Sequence, residues 1–155
     1  VAASRHPEAG GIALDVADAA AVADAAAEFD AVYLTTPLGP DETDIGLRAV
    51  EAIGAQTRLV YLAIHNLEAM AEIPHFATKV PVKAAVLARG GTVLAPNFFF
   101  QNDLLFHSAI LGGGVYPLPV GSAGIWSIDA ADIAAAAVNA LATDDWNGQT
   151  VPLCG

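Results

Sequence analysis

Cationic side chains are scarce in this sequence: 6 Lys and Arg stand against 17 Asp and Glu, for a net charge of −11, and no Lys or Arg follows Arg89. Nucleic-acid binding rests on clustered Lys and Arg that neutralise phosphates, and attraction to anionic lipid rests on the same groups. DNA, RNA and membrane surfaces are therefore not expected partners. Cysteine is nearly absent too: Cys154 alone can form neither an internal disulfide nor a zinc site, which fits a reducing, cytoplasmic setting. The four histidines, His6, His65, His75 and His107, show no short metal-ligand spacing, so no metal site is expected. Long hydrophobic runs are missing as well. Leu104 to Ile128 is 25 residues without Asp, Glu, Lys or Arg, but Gly112, Gly113, Gly114, Pro117, Pro119, Gly121 and Gly124 interrupt it. Its longest unbroken piece, Leu104 to Leu111, falls far short of the ~20 residues that cross a bilayer.

What the sequence has in quantity is alanine, 34 of 155 residues, within an apolar fraction of 55% and a length suited to one domain. Short β-rich runs alternate with alanine-rich stretches, the pattern of βα units on a parallel sheet. Strands are expected at Val1 to Ser4, Ile12 to Leu14, Ala31 to Thr35, Leu59 to Ala63 and Thr92 to Ala95, with a late strand between Gly148 and Cys154. Helices are expected from Asp18 to Glu28, from Pro40 and Asp41 to Gly54, from an N-cap at Thr78 to Arg89, and from Asp129 to Thr143. In an open α/β sheet the ligand lies outside the carboxyl ends of the strands. The residues delivered there are Ser4 and Arg5, then Asp15, then Thr35, Thr36 and Pro37. The segment 97–127, with its consecutive phenylalanines, belongs beside the same pocket on the substrate side.

Arg5 has two readings. A guanidinium just after a strand of a dinucleotide fold can clamp a 2′-phosphate by paired hydrogen bonds; the other reading is a solvated surface arginine. Asp15 either accepts from an adenine amino group or serves as a helix-entry residue ahead of Asp18. Of Phe98, Phe99 and Phe100, alternate rings of an extended stretch face opposite sides, so at least one is expected in the core and the others at the pocket. His107, on the apolar run from Leu104, reads as an interior histidine.

Five segments in order, GIALDVADAAAVADAAAEFDAVYLTTP, TRLVYLA, HFATKVPVKAAVLARGGTVLAPNFFFQN, WSIDAADIAAAAVNAL and NGQTVPLCG, resemble the NmrA-like branch of the atypical short-chain dehydrogenase/reductases. The resemblance implies a Rossmann-like, doubly wound α/β fold and NADP(H) as cofactor, with NAD(H) as the alternative. It also implies a small-molecule substrate such as a quinone or carbonyl compound, or else a nucleotide-sensing regulator with a protein partner. By the same likeness Arg5 falls at the 2′-phosphate and Asp15 with Val16 beside the adenine. Thr35, Thr36 and Pro37 fall under the ribose and pyrophosphate, and Lys79 at the nicotinamide ribose. Asn97, Phe98, Phe99 and Phe100 fall along the nicotinamide, with Asn102 at the end of that segment and Phe99, Phe100 and Asn102 toward substrate.

Three departures from that pattern stand out. Related classical enzymes pair Tyr and Lys four residues apart, and here His75 holds the tyrosine position relative to Lys79. A histidine can donate a proton near neutral pH, while its place after Pro74 suggests an exposed loop residue instead. The serine that usually ends the preceding strand is replaced by the sequence Ala63, Ile64, His65. Lys83, one turn beyond Lys79, stands where many relatives carry an acid, which adds a like charge and removes a partner for Lys79.

The glycine-rich turn that seats a pyrophosphate at a helix N-terminus is not found: Gly10 and Gly11 join two strands, and the three glycines from Gly112 do not link a strand to a helix. The likeness starts at the family's second strand. In the strand order 3-2-1-4-5-6 the first strand is central, so a gap is expected between Val1 to Ser4 and Ala31 to Thr35. The expectation is therefore a single partial Rossmann-like domain over 1–155, part of a longer reductase whose first strand and first helix lie elsewhere. An NADP(H)-binding regulator without turnover is the alternative, and a remnant that binds nothing is a third reading.

Overall fold

The computed structural model describes residues 1–118, 121–122 and 124–155. Its elements in chain order are β1 (Ala3–Ser4), β2 (Ile12–Ala13), α1 (Ala19–Ala26), β3 (Ala31–Leu34), α2 (Glu42–Ala52), β4 (Arg58–Leu62), α3 (Pro74–Ala77), α4 (Lys79–Ala88), β5 (Thr92–Pro96), β6 (Phe98–Phe99), α5 (His107–Gly113), β7 (Ser127–Ile128), α6 (Ala130–Ala142) and β8 (Thr150–Leu153). Two 3₁₀ segments, Leu67–Met70 and Phe100–Phe106, complete the described elements. Pro119, one of the breaks in the uncharged stretch, lies outside the described residues, as do residues 120 and 123 of the substrate-side segment.

Every strand pairing is parallel. The main sheet runs β3-β4-β5-β8, a two-stranded sheet pairs β1 with β2, and a second pairs β6 with β7. Because side chains alternate along a strand, Leu59 and Tyr61 face one side of the main sheet and Val60 the other. Leu59, Tyr61 and Val93 join Val22 and Ala26 of α1, Ala49 and Val50 of α2, and Val82 and Val86 of α4 in one core. Val60 and Leu94 meet Ala137 and Ala140 of α6 in a second, smaller core. Helices on both faces of a parallel sheet make this the doubly wound α/β architecture expected from the sequence.

Alanine and glycine allow the helices to approach closely. A Cβ at Gly46 of α2 would lie 2.5 Å from Val82 Cγ2 of α4, so only glycine fits that crossing. The same region is tied down by Arg89. One guanidinium nitrogen donates to the carbonyls of Val50 and Ile53, each at 2.7 Å, and the other to Gly54 at 2.6 Å and Thr57 at 3.2 Å. Val50 and Ile53 carry carbonyls that the end of α2 leaves without helical partners, and Gly54 and Thr57 belong to the turn that follows.

The expected gap is present. Among the described residues no strand lies between β1 and β3, and a cleft of about 960 Å³ separates them, walled by Val1 to Arg5 on one side and Ala31 to Pro37 on the other. Bonds from Ile12 N to Ala2 O and from Leu14 N to Ser4 O direct those groups toward β2. The intervening residues Val1, Ala3 and Arg5 therefore turn their backbone toward the cleft. On the facing edge, the bond from Arg58 N to Asp30 O sets the alternation that turns Ala31, Tyr33 and Thr35 the same way.

Several local expectations are corrected. Thr78 does not cap α4 with its side chain: its hydroxyl donates to Glu42, and the chain turns through α3 immediately before. His75 is not in a loop, because Pro74 starts α3 and places His75 in its first turn, exposed and 4.0 Å from the Phe76 ring by centroid. His107 is exposed at the start of α5 rather than interior. None of the three consecutive phenylalanines is fully buried: Phe98 and Phe99 are half-buried and Phe100 is exposed. Among the described residues no helix is long and apolar enough to cross a membrane.

Candidate functional site

The carboxyl ends of β1, β2 and β3 open on one rim of the cleft. Ser4, Arg5, Asp15, Val16, Thr35, Thr36 and Pro37 all line it, so the structure brings together the seven residues that the sequence assigned to the nucleotide face. Arg5 and Asp15 are exposed. Arg5 makes no ion pair among the described residues, which leaves its guanidinium free in a strongly acidic chain. Asp15 accepts from Ala17 N at 3.0 Å, an Asx turn that shapes the entry to α1. Asp18 then takes the free N–H groups of Ala20 and Ala21, both at 3.1 Å.

A second polar cluster lies behind Thr36, where the starts of α2 and α4 meet the end of β3. Glu42 is 1% exposed and Lys79 8%. Glu42 Oε1 accepts from Lys79 Nζ at 2.5 Å and from Thr36 Oγ1 at 2.5 Å, and Oε2 accepts from Thr78 Oγ1 at 2.7 Å. Lys79 also donates to Thr36 Oγ1 at 3.3 Å and stands 5.9 Å from the centre of the Tyr61 ring. Tyr61 OH lies 3.2 Å from Thr36 Oγ1. Burial pushes the Tyr61 phenol up to about 12, and the Glu42 charge adds to the rise.

This cluster corrects two expectations about Lys79. Lys79 has not lost its acidic partner, because Glu42 supplies one from another helix. Lys83 does not press on it as an unpaired like charge, because Lys83 pairs with Glu68 at 2.6 Å. Sequence reasoning missed Glu42, Tyr61 and Thr78. Glu42 looks like an ordinary acid in the first turn of a helix, and only the folding of α2 against α4 shows its burial.

The third group lies at the ends of β4 and β5. Asn97 donates to Cys154 Sγ at 2.9 Å, and its backbone N–H bonds Leu153 O, tying it to β8. Phe98 and Phe99 pair with Ser127 and Ile128. Gln101 holds the start of α6 by accepting from Ala130 N and donating to Asp129, each at 3.0 Å. His65, three residues beyond the end of β4, donates its backbone N–H to Pro96 O, and its Nδ1 is buried without a partner. Asn97, Phe98, Phe99, Phe100, Asn102, His75 and Lys79 do not line the cleft that gathers the first group. Among the described residues no cluster of three or more metal-ligating side chains is present.

The comparisons agree with the fold. No family model matches the sequence. An NAD(P)H azoreductase of Xenophilus azovorans is 30% identical over 132 residues, 81% of this chain and 46% of that protein. A solved nucleoside-diphosphate-sugar epimerase from Staphylococcus aureus superposes with a TM-score of 0.73 at 16% identity, over 92% of this chain and 53% of that one. The chain thus spans about half the length of these two proteins. The superposition and the parallel sheet show a Rossmann-like α/β fold.

Proposed function

We propose that the chain is most of the cofactor-binding domain of an NADP(H)-dependent reductase whose acceptor is a small quinone, carbonyl or azo compound. The observation that carries this reading is the convergence of Ser4, Arg5, Asp15, Thr35, Thr36 and Pro37 on one rim at the carboxyl ends of three parallel strands, where open α/β sheets bind their ligands. An unpaired guanidinium at that rim suits a 2′-phosphate, since planar paired donors match phosphate oxygens. Asp15 is placed to accept from an adenine amino group, and the backbone through Thr35 to Pro37 to run beneath the ribose. When bound, NADPH would supply the hydride. Asn97, Phe98, Phe99, Phe100 and Asn102 would orient the ring and the acceptor, with the acceptor's proton taken from water.

The pyrophosphate does not find a seat within the described residues. The first N–H groups of α1 are occupied by Asp18, and α2 opens with the exposed Asp41 and Asp44, whose charge opposes an anion. The proposal therefore includes a further parallel strand, supplied by the protein outside these 155 residues, lying in the cleft between β1 and β3 and leading into a phosphate-binding turn. Two facing backbone edges and an apolar cleft favour such a strand, and the greater length of both matched proteins agrees with it.

NADP(H) sensing without turnover is the second reading. The commitment of Lys79 to Glu42 favours it, because that pair withholds the family's active-site lysine from the chemistry. Titration of the whole protein with NADPH, followed by quenching of Trp126 and Trp146 fluorescence, tests both readings. Saturable quenching supports them and its absence rejects them. Oxidation of NADPH by a panel of quinones and azo compounds then separates reductase from sensor.

A further inference from the structure

The proton positions in the cluster around Glu42 follow from counting donors and acceptors. An ionised carboxylate only accepts, so Thr36 must give its single proton to Glu42 Oε1 at 2.5 Å. Thr36 Oγ1 can then only accept from Tyr61, which fixes Tyr61 as the donor in that contact. Thr78 sends its proton to Oε2, the nearer of its two acceptors. Lys79 spends two donors on Glu42 and Thr36 and turns toward the Tyr61 ring. All of these groups are satisfied by one another, and the cluster joins the exit of β3 to the first turns of α2 and α4.

We infer that Glu42 is a positioning residue that fixes the rim segment Thr35, Thr36 and Pro37 through the Thr36 hydroxyl, and that Lys79 is its buried counter-ion rather than a group that touches cofactor or substrate. The inference rests on the proposed function only for what would bind at that rim. It departs from the role that family likeness gave Lys79. A lysine that held ribose hydroxyls would have to leave both Glu42 and Thr36, stranding a carboxylate that is almost wholly buried. Thr36 is the member of the cluster that also lines the cleft, so it is the link through which Glu42 acts on the rim.

Lys79 and Lys83 are the lysines of this sequence, and fragment mapping tells them apart. Acetic anhydride labelling, read by peptide mass spectrometry, is expected to modify Lys79 of the folded protein at least tenfold more slowly than Lys79 of the urea-unfolded protein. Glu42→Gln should raise Lys79 labelling about tenfold and speed amide exchange at Leu34, the last β3 residue paired with β4 before the rim, while leaving Val93 in β5 protected. If Glu42→Gln does not fold, Thr78→Val, which removes one contact on Oε2, should raise Lys79 labelling severalfold. Added NADPH should leave Lys79 labelling unchanged. Equal labelling of Lys79 in the folded and unfolded protein overturns the inference, as does protection of Lys79 by NADPH or exchange at Leu34 that ignores Glu42→Gln. Should NADPH fail to bind at all, the proposed function falls, and the labelling and exchange results still decide the role of Glu42.

Discussion

Lys79 Nζ lies 2.5 Å from Glu42 Oε1, and both groups are buried between the first turns of α2 and α4. Sequence order separates the two by 37 residues, so the pair exists only because the helices pack side by side. Removing one partner strands the other in a low-dielectric site, which costs about 3–5 kcal/mol for a buried pair. Lys79→Met is therefore expected to lower stability by an amount in that range, measured by urea denaturation, whereas the double change Lys79→Met with Glu42→Gln should recover a large part of the loss. A double variant no more stable than the single one would show that the two side chains do not act together.

Gly46 and Val82 make the close approach of α2 to α4. A methyl group at Gly46 would collide with a fully buried valine, and overpacking of this kind costs about 1–3 kcal/mol. Gly46→Ala should lower the melting temperature despite alanine's better helix propensity, and Gly46→Ala with Val82→Ala should restore part of it. A melting temperature that rises in the single variant would contradict the crossing described here.

Arg89 closes the end of α2 by donating to four carbonyls from a position beyond α4. Burial lowers its proton affinity somewhat, yet a guanidinium stays charged. Lysine cannot spread donors over four acceptors, so Arg89→Lys should destabilise nearly as much as Arg89→Met, by about 1–3 kcal/mol in denaturant midpoint analysis. Full stability of the lysine variant would show that charge alone is needed.

Tyr33 and Tyr61 are both pushed up to about 12 by burial, against 10.0 for a free phenol. The folded state thus keeps protons that the unfolded state releases first as pH rises. The stability held by the neutral phenols is complete below pH 10 and is lost as pH climbs from 10 toward 12. Thermal melts between pH 8 and 11 should fall only above about pH 10, and Tyr61→Phe should flatten that fall.

The alternation of β-rich and alanine-rich runs made the parallel sheet and the spans of α1, α2 and α6 legible in the sequence, since periodicity and capping are local properties. The rim residues Arg5, Asp15 and Thr36 were legible because strand ends can be located from the same runs. Glu42 was not, because nothing local distinguishes a buried acid at a helix start from an exposed one. His75 and His107 were misplaced for a related reason: Pro74 opens a short helix as readily as it breaks one, and an apolar run such as Leu104 to Leu111 does not show which of its residues face solvent. Of the phenylalanines after Asn97 only Phe98 and Phe99 form a strand, and their pairing with Ser127 and Ile128 depends on a contact some 29 residues away along the chain.

Comparison of NADPH and NADH binding to the whole protein, with Arg5 intact and as Arg5→Ala, tests the central claim most directly. Calorimetric titration should show NADPH bound at least tenfold more tightly than NADH, and Arg5→Ala should remove that preference while leaving NADH affinity within about twofold, the loss of one paired phosphate contact. Equal affinities in the unaltered protein, or equal weakening of both nucleotides by Arg5→Ala, would contradict a cofactor site at this rim that reads the 2′-phosphate.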